Sequence, residues 1–316
     1  MNELNPLLTS EDYREHTEFW TERLGLIEED FRLRQNWQSY ALPSDGAQLV
    51  IDLAVDERTS ELISELGRGK DAGVFVVVLA AVFHVLQVYS GAETLCADSP
   101  YLSSSDEQGG SVPLIFDYDG GLSVRAHLDR VRDLVAQSYT YQEFPLREFA
   151  AGALDRNLPT TNILVQSPGM HALIPVSAAR DDYDLSINIQ RDNARLSVRL
   201  EGRGSVFSWQ FLENFGRHLS RALAGLTDLD AAIGTISLID EAERYKLLEE
   251  WAWTRGEGRS LPPSATVLDL FAEHAGLAPE HSAIVTSEVE ITYGDLDDKS
   301  SRLAQFLVSE YGVKRG

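Results

Sequence analysis

Apolar residues recur at intervals of three and four along several long stretches of this chain and alternate with polar residues along several short ones, which predicts helices and strands in mixed order. Phe19, Trp20, Leu24, Leu26 and Ile27, set among acids and arginines, predict an amphipathic helix over 10–25, capped by Ser10 and carrying Tyr13, Thr17 and Trp20 near one face. Residues 48–55 read as a strand, after which Asp56 opens a helix running to Leu66. The glycines of 67–73 mark a turn into a helix that is apolar on all sides and ends at Tyr89-Ser-Gly91. Strands are predicted at 94–98 and 112–118, with a polar, glycine-containing loop at 102–111 between them. Val124, Leu128, Val131, Leu134 and Val135 predict a helix over 123–141, and 147–154 a short second one. Alternating strands at 162–166, 184–190 and 195–200 follow, the last two joined by a hairpin turn at 191–194. Phe211, Leu212, Phe215, Leu219 and Leu223 set a helix over 208–224.

Beyond residue 240 the character changes. The chain becomes acid-rich, and Leu261-Pro-Pro-Ser264 interrupts both helix and strand, so 240–262 reads as an acidic linker. Helices at 266–274 and 293–311 then flank short strands at 283–285 and 290–292, too few to close a sheet of their own. The tail reads as the opening of a larger domain.

Composition narrows the function classes. The 316 residues are 43% hydrophobic and 24% charged, within the range of globular proteins. At roughly 150 residues per domain the length predicts about two folded units. A formal charge of -23 opposes sequence-independent binding to nucleic acid or to anionic membrane, which needs lysine and arginine in excess. The apolar stretch 73–83 is followed by His84 and Gln87 and is short of the ~20 residues of a membrane span, so it is expected in a core. The N-terminus carries no basic region ahead of an apolar one, Met1-Asn-Glu-Leu-Asn-Pro6 reads as a natural start, and the lone Cys96 suits a reducing cytoplasm.

No catalytic pattern emerges from the residues themselves. The seven histidines, His16, His84, His127, His171, His218, His274 and His281, stand at no metal-ligand spacing, and none is followed four positions later by an aspartate. His127 and His218 read as solvated or edge positions on helices, and His84 as a satisfied core histidine. Gly67-Arg-Gly-Lys70 lacks the frame of a phosphate loop and reads as a turn, and Asp117 and Asp119 read as a solvated face. No catalytic, cofactor-binding or metal-ligating residue is assigned.

Two stretches carry a resemblance. Val267-Leu-Asp-Leu-Phe-Ala-Glu-His-Ala275, Pro279-Glu-His-Ser-Ala-Ile-Val285, Ile291-Thr-Tyr-Gly-Asp-Leu296 and Arg302-Leu-Ala-Gln-Phe-Leu307 together resemble the opening of an adenylation domain of a nonribosomal peptide synthetase. Upstream, Phe19-Trp-Thr-Glu-Arg-Leu24, the helix over 75–91, Tyr141-Gln-Glu-Phe-Pro-Leu146, Tyr183-Asp-Leu-Ser-Ile187 and Ile233-Gly-Thr-Ile-Ser-Leu-Ile-Asp240 resemble, in order, the C-terminal half of a condensation domain. The resemblance implies an α/β fold: a single chloramphenicol-acetyltransferase-like lobe, a mixed sheet with packed helices, over 1–239. A linker over 240–262 and an N-terminal adenylation-domain fragment over 263–316 would follow.

The family's His-His-x-x-x-Asp-Gly signature is not in these residues. Gly110-Ser-Val-Pro-Leu-Ile-Phe-Asp-Tyr-Asp119 lacks the Asn and Arg of the corresponding motif, Tyr141 stands where the family has His or Asn, and Leu146 where it has Phe. The resemblance therefore implies a truncated, non-catalytic condensation-like platform that supports its own adenylation domain and docks a carrier or tailoring partner. The alternative is a split condensation enzyme completed in trans by a histidine-bearing lobe. In either case the lobe's seam needs a cover: another chain, a second copy, or polar residues in place of Phe, Trp and Leu.

Overall fold

A computed structural model of the chain describes residues 10–27, 30–33, 48–102, 110–153, 161–171, 183–192, 195–251, 266–286 and 289–313. The chain divides into two units, Met1–Arg244 and Tyr245–Gly316. The polar loop expected at 102–111 lies mostly outside the described residues, as do the centre of the hairpin turn and most of the acidic linker.

In the larger unit α1 (Ser10–Gly25) is followed by β1 (Gln48–Ala54), α2 (Glu57–Leu66) and α3 (Asp71–Ser90). Next come β2 (Thr94–Pro100), β3 (Ser111–Asp117), α4 (Val124–Thr140) and α5 (Leu146–Ala153), and then β4 (Ile163–Gln166), β5 (Leu185–Asp192), β6 (Arg195–Arg203) and α6 (Trp209–Gly225). Local chemistry sets several of these ends. Asp56, Ser123 and Ser208 each accept a backbone N–H from the first turn of their helix, satisfying donors that the helix leaves unpaired. Gly91, at φ 69°, closes α3 in the left-handed conformation that side chains with a Cβ resist.

The strands form one sheet in the order β1-β6-β5-β4-β2-β3. β1, β6 and β5 run antiparallel in succession, as do β2 and β3, whereas β4 is parallel to both β5 and β2. The sheet is therefore mixed. Alternation along each strand gives it two unlike faces. Leu49, Ile51 and Leu53 of β1 sit in register with Gly202, Leu200 and Val198 of β6, and these with Leu185, Ile187 and Ile189 of β5, which makes an unbroken apolar face. α6 lies on it so closely that a Cβ on Gly216 would press into Leu53 and Leu200. α3, buried from Val74 to Leu86 except at Val76, contacts α4 and α6. By length and composition α3 could cross a membrane, but most of it is buried in the core, and burial in a protein interior explains a helix apolar on all sides.

Unit two holds α8 (Val267–Leu277), β7 (Ser282–Val285), β8 (Glu290–Thr292) and α9 (Tyr293–Tyr311), with β7 and β8 antiparallel. Thr266 and Asp269 form a capping box at the start of α8. α7 (Glu241–Tyr245) and the π-helical turn Lys246–Trp251 that continues it occupy the opening of the acidic stretch, which is thus helical at its start.

Candidate functional site

Unlike the helix-covered face, the second face of the sheet is polar. One row across it runs Asp52, Arg199, Asn188, Gln166, and the next runs Val50, Glu201, Ser186, Leu164, Asp98. Arg199 grips the Asp52 carboxylate with two bonds of 2.7 and 3.0 Å, which holds that carboxyl below its usual range. Farther in, Gln166 Nε2 donates to Asn188 Oδ1 at 2.7 Å, and both residues are buried. Tyr183 Oη donates to Asp98 at 2.7 Å and lies 2.9 Å from Ser111 Oγ.

Among the described residues of the larger unit only Val50, Val88 and Trp209 are exposed large apolar side chains.

The histidines are placed by the core. His84 Nε2 lies 3.0 Å from the Ile236 carbonyl, which can only accept, so Nε2 carries the proton and Nδ1 accepts from Tyr118 Oη at 2.7 Å. The expected satisfied core histidine is what stands there. His127 is a correction: it is fully buried rather than solvated, with Nε2 3.2 Å from the Ala80 carbonyl and Phe116 and Tyr118 against its ring. Burial pushes its pKa down to about 4. The sequence does contain the signal, since His127 falls three residues after Val124 and four before Val131, on the apolar stripe of α4.

His171 ends a directed chain of hydrogen bonds. The Ser167 N–H donates to its Nδ1 at 3.0 Å, so the proton sits on Nε2 and is donated to Tyr139 Oη at 2.6 Å. Tyr139 donates to Ser99 Oγ at 2.7 Å, and Ser99 to the Val165 carbonyl at 2.8 Å. Burial again pushes the imidazole to about 4 and holds the Tyr139 phenol well above its ordinary value. The chain ties β2, α4 and the segment after β4 together, and the Ser167 bond needs a neutral imidazole, whose Nδ1 must accept.

His218, near the edge of α6 as expected, takes part in a clasp. Tyr89 Oη lies 2.8 Å from its Nδ1, and its Nε2 lies 3.3 Å from both Glu243 oxygens. Arg217 and Arg221 on the same helix reach Glu243 at 3.2 Å and Asp240 at 2.9 Å. The order hydroxyl, imidazole, carboxylate is that of a nucleophile with its base. Here the Tyr89 ring packs against Phe211 and Phe215, and burial, with the Glu243 charge, holds the phenol protonated. The cluster fastens the start of α7 to α6. α7 has no buried residue, so this polar clasp holds its start without apolar help. Raising the salt to about 0.5 M, which shortens charge screening to a few ångströms, is expected to accelerate amide exchange at 240–245 several-fold and leave α6 unchanged. Equal protection at both salt levels, read by hydrogen exchange, would show that something else holds α7.

The remaining residues singled out in sequence serve local structure. Asp117, the last residue of β3, pairs with Arg130 at 3.1 Å, and Asp119 in the turn after it accepts the Gly121 N–H, so the two are on a solvated face as expected. In the turn at 67–70, Arg68 and Gly69 are left-handed and the Gly69 carbonyl accepts from Arg191. The Tyr141 carbonyl accepts from Trp20 Nε1 at 3.4 Å while its ring packs on His16 and Phe19, and Gln142 Oε1 accepts the Leu102 N–H. A residue that sequence reasoning passed over is Asn162. Its amide pairs with both backbone groups of Leu33 at 2.9 Å and donates to Asp184, which in turn pairs with Arg203. Among the described residues no group of three His, Cys, Asp or Glu converges as metal ligands would.

No family model matches the chain. It is similar over 98% of its length to a linear gramicidin synthase of Brevibacillus parabrevis, at 25% identity, and over 96% to a plipastatin synthase of Bacillus subtilis, at 23%. It spans only 6% and 13% of those two proteins. Among solved structures, holo-AB3403, a four-domain nonribosomal peptide synthetase bound to AMP and glycine, matches 98% of the chain with a TM-score of 0.61 at 14% identity, over 26% of its own length. The first condensation domain of the calcium-dependent antibiotic synthetase matches 72% with a TM-score of 0.54 at 19% identity, over 54% of its length. The X-domain of teicoplanin biosynthesis, in its complex with OxyB, matches 72% with a TM-score of 0.57 at 16% identity, over 56% of its length. The chain is thus related in sequence to nonribosomal peptide synthetases, and its mixed sheet with packed helices is the condensation-domain fold.

Proposed function

We propose that this chain serves a nonribosomal peptide synthetase module as a condensation-type lobe that supports its neighbours and performs no peptide-bond chemistry. An acidic linker and the opening of an adenylation domain follow it. What carries the reading is the state of the imidazoles. In the larger unit His84, His127 and His171 are buried and neutral, and His218 is tied between Tyr89 and Glu243, so none of these four stands free beside an open cleft to take a proton from an amine.

The smaller unit supports the adenylation reading in a different way. Among its described residues Ala275 is the buried hydrophobic one, while Val267, Leu268, Phe306 and Tyr311 are exposed, Val267 by 81%. Such a unit has no core of its own and suits a piece that packs into a larger domain. Docking of a tailoring partner draws on the X-domain likeness, since that domain was solved in complex with OxyB. A carrier domain is the other partner this reading names, in the cytoplasm where a synthetase would work.

The test is an acyl-transfer assay. The chain is mixed with a donor carrier bearing an acyl thioester and an acceptor carrier bearing an aminoacyl thioester, and product is followed by mass spectrometry. No product above a heat-treated control is expected, with or without a separately supplied lobe bearing His-His-x-x-x-Asp-Gly. Product from the chain alone overturns the non-catalytic reading, and product only in the mixture replaces it with a split enzyme.

A further inference from the structure

The two edges of the sheet, β3 and β1, are built differently. In β3 the Tyr118 N–H donates to the Glu93 carbonyl, so the even-numbered residues turn their backbone groups towards β2 and the odd-numbered ones turn theirs outward. Pro113 holds one of the outward positions, and having no N–H it blunts that edge. β1 has no such device. The Val55 N–H donates to the Leu196 carbonyl at 3.1 Å. By alternation Leu49, Ile51 and Leu53 turn N–H and C=O towards β6, and Val50, Asp52 and Ala54 turn theirs outward. The strand holds no proline and keeps an unbroken register with β6, and its one charge, on Asp52, is held by Arg199. Among the described residues no strand pairs with the outward groups, and Val50, Asp52 and Ala54 are exposed.

N–H and C=O pairs repeated at every second residue are matched by another extended strand. A second copy of the chain fits badly. α6 lies on β1 so closely that a Cβ on Gly216 would meet Leu53 at 2.7 Å. Pairing two copies would set their β1 strands about 4.8 Å apart beneath two helices each about 10 Å wide. A segment with no helix of its own avoids that clash. Val50 and Trp209, two of the three exposed large apolar side chains of this unit, lie on β1 and on the side of α6 that carries Leu212 and Gly216. Side chains opposite Leu49, Ile51 and Leu53 fall on the helix-covered face, which favours apolar ones. Those opposite Val50 and Asp52 fall on the polar face beside Asp52 and Glu201, in a chain of formal charge -23, which favours basic ones.

We propose that the outer edge of β1 takes up an extended segment of a partner protein, antiparallel to it, in which apolar residues alternate with lysine or arginine. The segment continues the six-stranded sheet by a seventh strand. Its basic residues make the backbone bonds to Val50 and Asp52, and its apolar residues lie under α6.

Amide NMR of the ¹⁵N-labelled full chain tests this with the peptide acetyl-Lys-Ile-Lys-Val-Lys-Ile-Lys-amide. The peptide is expected to shift the amides of 48–54 saturably, with a Kd on the order of 0.1 mM. It should slow hydrogen exchange at Val50, Asp52 and Ala54 more than at Ile51 and Leu53, whose N–H groups β6 already holds. Backbone N-methylation of the lysines should weaken binding at least tenfold, while N-methylation of Ile and Val, whose N–H groups face away from β1, leaves it about equal. The analogue with Glu in place of Lys should bind at least tenfold more weakly. Val50→Pro removes an outward N–H without touching the β6 ladder, so it should lose at least tenfold in affinity with its thermal midpoint little changed. Val50→Lys, which sets a like charge opposite the peptide, should lose severalfold and serves where the proline variant does not fold. Equal binding of the two methylated forms, or of the Lys and Glu forms, overturns the proposal. So does the lack of a saturable shift at 48–54 up to 5 mM peptide, roughly fifty times the expected Kd. A dimer of the free chain in sedimentation that Val50→Pro abolishes would give the edge to a second copy instead. The acyl-transfer assay does not depend on this edge, so the two readings fail separately.

Discussion

Between pH 6.5 and pH 4 the larger unit is expected to lose about 6 kcal/mol of stability, from two imidazoles that each contribute about 3 kcal/mol. His127 and His171 have an ordinary value of 6.5 in the unfolded chain and about 4 in the folded one. In that window the unfolded chain binds two protons that the folded chain refuses. Stability is complete above the unfolded value and falls as pH drops towards the folded one, with no further loss from these groups below it. The causes are named. Both rings are buried, and His127 also faces the Arg130 charge. His171 has its Nδ1 committed to the Ser167 N–H, so a second proton has no place. Burial also lowers His84 and His218, adding in the same direction.

A loss of that size is comparable to the whole stability of a domain, ~5–15 kcal/mol, so unfolding near pH 4.5 is the expected result. Urea midpoints at a series of pH values measure it. His127→Leu keeps the apolar contacts with Phe116 and removes one of the two protons, so it should roughly halve the acid loss and change little at pH 7.5. A variant that loses as much stability as the parent would refute the assignment to His127.

Asn162→Ala is expected to cost ~3–5 kcal/mol, the largest effect of any single polar substitution in this lobe. The side chain is buried and acts as a strand partner for Leu33, accepting its N–H and donating to its carbonyl. Truncation leaves both backbone groups of a buried residue unpaired, at about 1–3 kcal/mol each, and removes a neighbour of the Asp184–Arg203 pair as well. Asn162→Asp should be no better at neutral pH. Its carboxylate could still accept the Leu33 N–H, but it cannot donate to the Leu33 carbonyl and it faces the Asp184 carboxylate. Denaturant midpoints of both variants decide the matter, and a cost under about 1 kcal/mol for the alanine would mean that the segment at 31–33 is held by other contacts.

Parts of this lobe are legible because they are local. A stripe of apolar residues with Ser123 or Ser208 before it specifies a helix with its cap, and Tyr89-Ser-Gly91 specifies where α3 stops, since only the residues of one turn take part. The alternation at 184–190 and 195–200 fixed a hairpin for the same reason. Asn162 was not legible. An asparagine before a strand has many uses, and its partners, Leu33 and Asp184, come from elsewhere in the chain. His127 stands between these cases, since its place on the α4 stripe could have been read, but imidazole polarity outweighed position.

By itself the sequence determined the order of helices and strands, the acidic stretch and the lack of any catalytic spacing among its histidines, while the α/β class was what its family resemblance implied. All of these depend on residues within a turn or two of one another, or on simple presence. The tertiary structure alone decided that β1 pairs with β6, that β4 runs parallel between β5 and β2, that the sheet keeps one polar face, and that His84, His127 and His171 are neutral. Strand partners are chosen by how whole faces bury against helices, and a protonation state by the dielectric and the hydrogen-bond partners that distant segments bring together. Neither quantity exists until the chain has folded.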